Sequence, residues 1–307
     1  MMINYTQVSY FTLAAYFDTG LLRYLYFMII ISLYVFIVGA NVLLIVVICM
    51  NRSLHEPMYL FVCSLFVNEL YGSTGLFPFL LVQVLSDVHT VPSWFCFLQN
   101  YLLFSYGGVE YLSLAIMSYD RYLAICHPLQ YSTQMTGNKI AKLIAVTWVC
   151  PLLLCMISFS HSLQLCGNII NKVYCDNYSI VKLACSDTTA NNIYGLFATS
   201  LSIFCPLILI FYTYMRILKV CFSGSKQTRQ KAVSTCTPHL ASLLNFSCGA
   251  CFEILQSRFN MNSLPNILRI ILSLYWLTCQ PLVNPLLYGL NLSKIRIICK
   301  SLVFAAL

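Results

Sequence analysis

Glu69 and Glu110 are the residues whose surroundings demand chemistry, because each stands inside a long apolar run. Glu69 lies twelve residues into the second such run, and Glu110 lies eleven residues before Arg121 in the third. At a helical rise of about 1.5 Å per residue, both stand about 15–18 Å from the end marked by Arg121. Asn41 reaches a similar depth from the first run. A carboxyl group at mid-bilayer is a functional-site candidate by default. Two that meet cannot both ionise cheaply in a low-dielectric interior, so they would share a proton or hold a cation. The plainer alternative is two separate acids, each protonated and hydrogen-bonded.

Other groups could do different work. Asp120, Arg121 and Tyr122 close the third run within the stretch MSYDRYLAICHPLQY, Met117 to Tyr131. Arg121 can pair with Asp120 or snorkel to the interface, and Pro128, after His127, stops the helix. Of sixteen cysteines, most lie in apolar runs as small apolar residues. Cys96, Cys166, Cys175 and Cys185 instead lie in or beside connecting stretches on one side, and four cysteines allow three pairings. Leu103 and Phe104, one turn before Gly107 and Gly108, read as the floor of an apolar pocket, with close helix packing as the alternative. Arg258 follows Ile254 by about one turn near the end of the sixth run, with Ala250 and Cys251 below it. A guanidinium at the rim of such a pocket suits bidentate capture of a carboxylate, although an interfacial arginine can also simply anchor a helix end. The five histidines, His55, His89, His127, His161 and His239, show no metal-ligand spacing. No catalytic constellation is visible, so the chain is expected not to be an enzyme.

The elements that must hold these groups follow from composition. The chain of 307 residues is 60% hydrophobic and 8% charged, with a mean hydropathy of +0.80. A soluble domain carries roughly 25% charged residues, so this chain would leave a soluble surface uncovered. Seven apolar runs are long enough to span a bilayer, roughly 24–50, 58–84, 95–126, 140–161, 192–220, 232–257 and 264–290. Lipid exposure requires each backbone to satisfy itself, so these are helices. The expected fold is an all-α membrane protein, a seven-transmembrane helix bundle over 24–290. Residues 1–23 form a segment before it, and 291–307 form a tail with an amphipathic helix. Twelve of the seventeen basic residues fall on the side that carries Arg121, which places that side in the cytoplasm and the N-terminus outside. The net charge of +8 sits in short loops and is not a nucleic-acid footprint. Asn4-Tyr5-Thr6 is an N-glycosylation sequon in the outer segment, with Asn4 as acceptor.

Four stretches carry a resemblance. They are LHEPMY (Leu54 to Tyr59), the fifteen residues around Asp120-Arg121-Tyr122, KAVSTCTPHL (Lys231 to Leu240), and PLVNPLLYGL (Pro281 to Leu290). Together, in this order, they resemble vertebrate olfactory receptors within the rhodopsin-like G-protein-coupled receptors. The resemblance spans Asn41 to Leu290. It departs at Asn245-Phe246-Ser247-Cys248, where the usual pattern has tyrosine in place of Ser247.

The resemblance implies a receptor that binds a small odorant, here with a carboxylate as the candidate head group, between its helices. It would then activate a heterotrimeric G protein of the stimulatory olfactory type, raising cyclic AMP. It implies disulfides Cys96–Cys175 and Cys166–Cys185. It implies activation roles for Asp120, Arg121, Tyr122, Asn284, Pro285 and Tyr288, with Asn284 satisfying the carbonyl that Pro285 frees. It also implies a sodium ion at Glu69 and Glu110, with no other cofactor, and a place in the plasma membrane of sensory cilia, among lipid. The alternative is a non-olfactory rhodopsin-like receptor for a small metabolite. A retinal-binding opsin needs a lysine in the seventh run, and 264–290 contains none.

Overall fold

The computed structural model describes residues 8–16, 20–159, 164–185, 187–223, 226–258 and 266–306. Within them the chain runs β1 (Tyr10–Leu13), α1 (Leu22–Met50), a single 3-10 turn, α2 (Pro57–Leu85), β2 (Thr90–Pro92) and α3 (Ser93–Cys126). It continues with α4 (Pro128–Gln134), α5 (Gly137–Phe159), β3 (Ile169–Ile170) and α6 (Asn177–Val181). The last four elements are α7 (Thr189–Ser223), α8 (Lys226–Arg258), α9 (Asn266–Asn291) and α10 (Ser293–Ala306). The seven apolar runs become α1, α2, α3, α5, α7, α8 and α9. Several helices outrun their apolar segments, α8 by starting at Lys226, because helical hydrogen bonding continues past the lipid boundary into water. Pro57 occupies the first turn of α2, where its missing N–H costs nothing. Pro128 both follows the end of α3 and opens α4.

Five of these helices are long and apolar enough to cross a membrane by length and composition alone: α1, α2, α5, α7 and α9. α3 and α8 fall short for a physical reason. α3 packs against α2, α5, α7 and α8, so protein surrounds much of it, and it can carry Gln99, Asn100, Ser105, Glu110, Ser113, Ser118 and Asp120 inward, all buried. α8 likewise turns His239 and Ser242 into the bundle. Three close approaches set helix spacing. A Cβ at Gly72 would stand 2.4 Å from the Tyr106 ring, one at Gly108 2.7 Å from Pro151 Cβ, and one at Gly249 2.9 Å from Trp276 Cα. Each glycine lets a neighbouring residue sit where a side chain would otherwise be.

One feature lies outside an all-helical expectation. At the end of the bundle that carries the disulfides, β1 pairs antiparallel with β2 and parallel with β3. Phe11, Leu13, Val91 and Ile170 are buried beneath this small sheet. The segment before α1 is therefore woven into the loops that follow α2 and α5. Strands of two to four residues leave too short an alternation to be read in so apolar a chain.

Candidate functional site

The sheet end of the bundle encloses a cavity of ≈ 270 Å³ between α3, α7, α8 and α9. Its roof is the loop Tyr174–Asn177 with α6. That loop is held by Cys96–Cys175, with an S–S distance of 1.97 Å, and its base is closed by Cys166–Cys185. The Cys175 backbone N–H also donates to Gln99 Oε1 at 3.0 Å, so the roof is tied twice to the first turns of α3. Leu103, Phe104, Gly107 and Gly108 line the cavity. Gly108 serves packing as well, since Pro151 of α5 occupies the space of its missing Cβ. Tyr111, Phe246 and Trp276 form the aromatic floor, with ring centroids 5.0 Å apart for Tyr111–Phe246 and 6.2 Å for Phe246–Trp276. Phe246 lines the cavity and its neighbour Ser247, where the sequence departs from the resemblance, does not.

Two sequence expectations for the wall need correction or placement. Ala250 and Ile254 line the cavity, but Cys251 does not and is exposed. Residues 250 and 254 lie four apart on one helical face, and Cys251 is turned about 100° from Ala250. Arg258 ends α8, and its side chain lies outside the described residues, as does Asn4.

Lys172, Tyr174, Asp176 and Glu253 form a polar cluster at the roof that sequence reasoning missed. Lys172 Nζ bonds Glu253 Oε1 and lies 3.4 Å from Asp176 Oδ2. Tyr174 Oη donates to Glu253 Oε1 at 2.8 Å. Burial alone would lower the Lys172 pKa, but the Asp176 and Glu253 carboxylates outweigh it and hold the ammonium above its ordinary value. Burial pushes the Tyr174 phenol well up, so it remains a donor. Lys172 and Glu253 are 81 residues apart, and only the disulfide-held loop brings them together. The sequence signal that could have found the pair is Cys175 itself, since it fixes this loop over α3.

Below the floor stand the two acids, fully buried. Asn284 Nδ2 donates to Glu69 Oε1 and, at 3.1 Å, to Glu110 Oε1. Tyr106 Oη donates to Glu69 Oε2 at 3.0 Å, Asn68 Nδ2 to Glu110 Oε2 at 3.0 Å, and Gln280 Nε2 to Glu110 Oε1 at 3.0 Å. Ser242 Oγ donates to Asn284 Oδ1 at 2.7 Å. α2, α3, α8 and α9 thus meet in one hydrogen-bonded knot. Asn68 Oδ1, Ser73 Oγ and Ser113 Oγ are buried without a hydrogen-bond partner. Ser73 and Ser113 stand one helical turn from Glu69 and Glu110. Carboxylate and hydroxyl oxygens are the ligands a hard cation takes, and here the carboxylate oxygens accept from Asn68, Tyr106, Gln280 and Asn284. Asn41 takes a different part. Its Nδ2 donates to Pro281 O at 3.0 Å and Ile37 O at 2.9 Å. Pro285 has no N–H for the carbonyl four residues before it, which is that of Pro281. The freed carbonyl is therefore satisfied by Asn41 from α1, and not by Asn284, whose amide is committed to the acids.

At the opposite end, Arg121 reaches Asp120 Oδ2 through Nη2 at 2.6 Å and Nε at 3.1 Å. Tyr131 Oη donates to Asp120 Oδ1 at 2.7 Å. Asp120 is fully buried, and Arg121 keeps 16% of its side-chain surface exposed. Tyr122 is hydrogen-bonded to His127 Nε2 at 2.9 Å. Tyr288, buried, packs edge-on to Phe66 at 6.4 Å. His239 joins α8 to α3 and α7, bonding Leu114 O at 2.8 Å and Tyr214 Oη at 2.6 Å.

The sequence model of the olfactory receptor family matches residues 30–305. Olfactory receptor 10A3 of Homo sapiens is 35% identical over 95% of this chain and 94% of its own length. Olfactory receptor 6E1 of Mus musculus is 31% identical over 96% of this chain and 95% of its own. Among solved structures, squid rhodopsin superposes with a TM-score of 0.74 at 17% identity, covering 91% of this chain and 80% of that one. At that identity the likeness speaks for the seven-helix fold.

Proposed function

The chain belongs to the olfactory receptor family, a multi-pass membrane protein of the rhodopsin fold, and on that footing we propose how it works. A small odorant enters the cavity of α3, α7, α8 and α9 from the outside. The disulfide end faces outward and the Asp120–Arg121 end inward, as the distribution of basic residues requires. Binding favours the helix arrangement that the ligand fits more tightly. The partner is a heterotrimeric G protein of the stimulatory olfactory type, and the signal is cyclic AMP. The protein acts in the plasma membrane, in sensory cilia.

The observation that carries this reading is the continuity from cavity to inner end. Trp276 and Gln280 lie one turn apart on α9. Trp276 lines the ligand cavity, while Gln280 bonds Glu110 and Ser242. A ligand pressing on the aromatic floor therefore works on the residues that tie α8 to α9. Loosening that tie frees the inner half of α8, where His239 holds α3 and α7. Asp120 then releases Arg121 toward the G protein. Sodium held by Glu69 and Glu110 would neutralise the acid pair and favour the closed arrangement.

The carboxylate expectation for the ligand rests on Arg258 alone. The test is expression with the stimulatory olfactory-type Gα and a cyclic AMP reporter. Saturable odorant-evoked signals that require that Gα support the reading. Signals carried only by an inhibitory Gα, or none from any ligand, contradict it.

A further inference from the structure

Among the described residues that line the cavity, the charged ones are Asp176 and Glu253, and no Lys, Arg or His joins them. Lys172 lies behind them, bonded to Glu253 and 3.4 Å from Asp176. Among the described residues, two carboxylates thus share one ammonium, which leaves the cavity wall acidic. Each carboxylate also keeps one oxygen buried with no hydrogen-bond partner, Glu253 Oε2 and Asp176 Oδ1. Leaving a buried acceptor unmet costs about 1–3 kcal/mol, and more when it is charged, so a donor that these side chains can turn to meet is favoured. The floor below is made of the Tyr111, Phe246 and Trp276 rings, whose faces attract cations as well as apolar groups. The Lys172 nitrogen already uses this property, 5.6 Å from the Tyr174 ring centroid.

The geometry points to a protonated amine as the ligand, its ammonium at Asp176 and Glu253 and its apolar body on the aromatic floor. A volume of ≈ 270 Å³ is the size of a small-molecule site, which suits a small alkylamine. The inference rests on the receptor reading above and names the ligand class for the same cavity. An ammonium donates up to three N–H bonds and carries the charge the wall lacks. A neutral alcohol of equal size supplies one donor and no charge. A carboxylate meets two acids, and would have to be held by Arg258 against their repulsion.

The test is a binding measurement that involves no G protein. Purified receptor is titrated with hexylamine, hexan-1-ol and hexanoic acid at neutral pH, and its unfolding temperature is followed. The amine should stabilise at about a tenfold lower concentration than the alcohol, as expected for a charge-assisted contact. Glu253→Gln and Asp176→Asn should each weaken the amine by about tenfold while moving the alcohol little. Asp176→Asn leaves the Lys172–Glu253 pair in place, so it keeps the test intact if Glu253→Gln does not fold. Equal or tighter binding of hexanoic acid overturns the inference. So does unchanged amine binding in both variants, or no stabilisation by any of the three. Amine binding without a cyclic AMP response would uphold the ligand class and count against the signalling reading; acid binding with a response would do the reverse.

Discussion

Asn284 Nδ2 donates to Glu110 Oε1 at 3.1 Å, and the same nitrogen donates to Glu69. One amide on α9 therefore holds an acid from α2 and an acid from α3. Asn284→Ala removes both donations and the acceptor for Ser242. Losing a hydrogen bond costs about 0.5–1.5 kcal/mol, and more where it leaves a buried partner unmet, so purified Asn284→Ala should unfold several degrees below the parent. Asn291→Ala is the comparison, because Asn291 is exposed and bonds only its own helix at Leu287 O. Equal losses in the two variants would show that the knot is not a stabilising feature.

The acid pair gives a second expectation. Glu110→Gln removes one negative charge and keeps the side chain's size, so the pair no longer needs a shared cation or proton. Basal signalling should become less sensitive to sodium than in the parent. An unaltered sodium titration, together with an unaltered pH titration, would mean that Glu69 and Glu110 act as two independent neutral acids.

Tyr131 and Asp120 set the resting state at the other end. Tyr131→Phe deletes one hydrogen bond to the carboxylate that holds Arg121, worth about 0.5–1.5 kcal/mol. If the bond belongs to the inactive arrangement, basal cyclic AMP should rise about two- to tenfold, since about 1.4 kcal/mol is a factor of ten. Basal activity unchanged at equal surface level would remove Tyr131 from the switch.

The roof depends on its bridge. Peptide mapping without reductant should recover Cys96 joined to Cys175. Replacing Cys175 by Ser should cost about 2–5 kcal/mol and lower the surface level of folded receptor. Both thiols free in active surface receptor would contradict the structure.

The α8–α9 contact makes a fifth case. Gly249→Ala would place a methyl 2.9 Å from Trp276 Cα, which is backbone and cannot give way cheaply, whereas Gly39→Ala meets nothing within 4 Å. Overpacking costs about 1–3 kcal/mol, so Gly249→Ala should lower the unfolding temperature and Gly39→Ala should not. The opposite order would mean that α8 and α9 do not pack as described.

Much of this arrangement is legible in the chain. Glu69 and Glu110 betray themselves as acids in apolar runs, and helical rise alone puts them at one depth. Asp120 and Arg121 are visible because charge at the end of a long apolar run has few places to go. Other parts depend on angles and long-range contacts that composition does not carry. Cys251 reads as a wall residue until the helix is built and turns it outward. Asn284 reads as the partner for the proline-freed carbonyl, and only packing shows that Asn41 of α1 supplies the donor. Lys172 and Glu253 are separated by two helices in the chain, so nothing local marks them as a pair. The strands β1, β2 and β3 are too short to show a period of two amid so many apolar residues.

The central claim is that a ligand in this cavity drives the inner end of the bundle. The most direct measurement is ligand-evoked cyclic AMP in cells expressing the parent, Ala250→Trp, which fills the cavity from its α8 wall, and Arg121→Ala, with surface levels matched by antibody labelling. The account predicts a saturable response in the parent, a response lost or shifted to far higher concentration in Ala250→Trp, and none in Arg121→Ala. A full response at parental potency in either variant would contradict it.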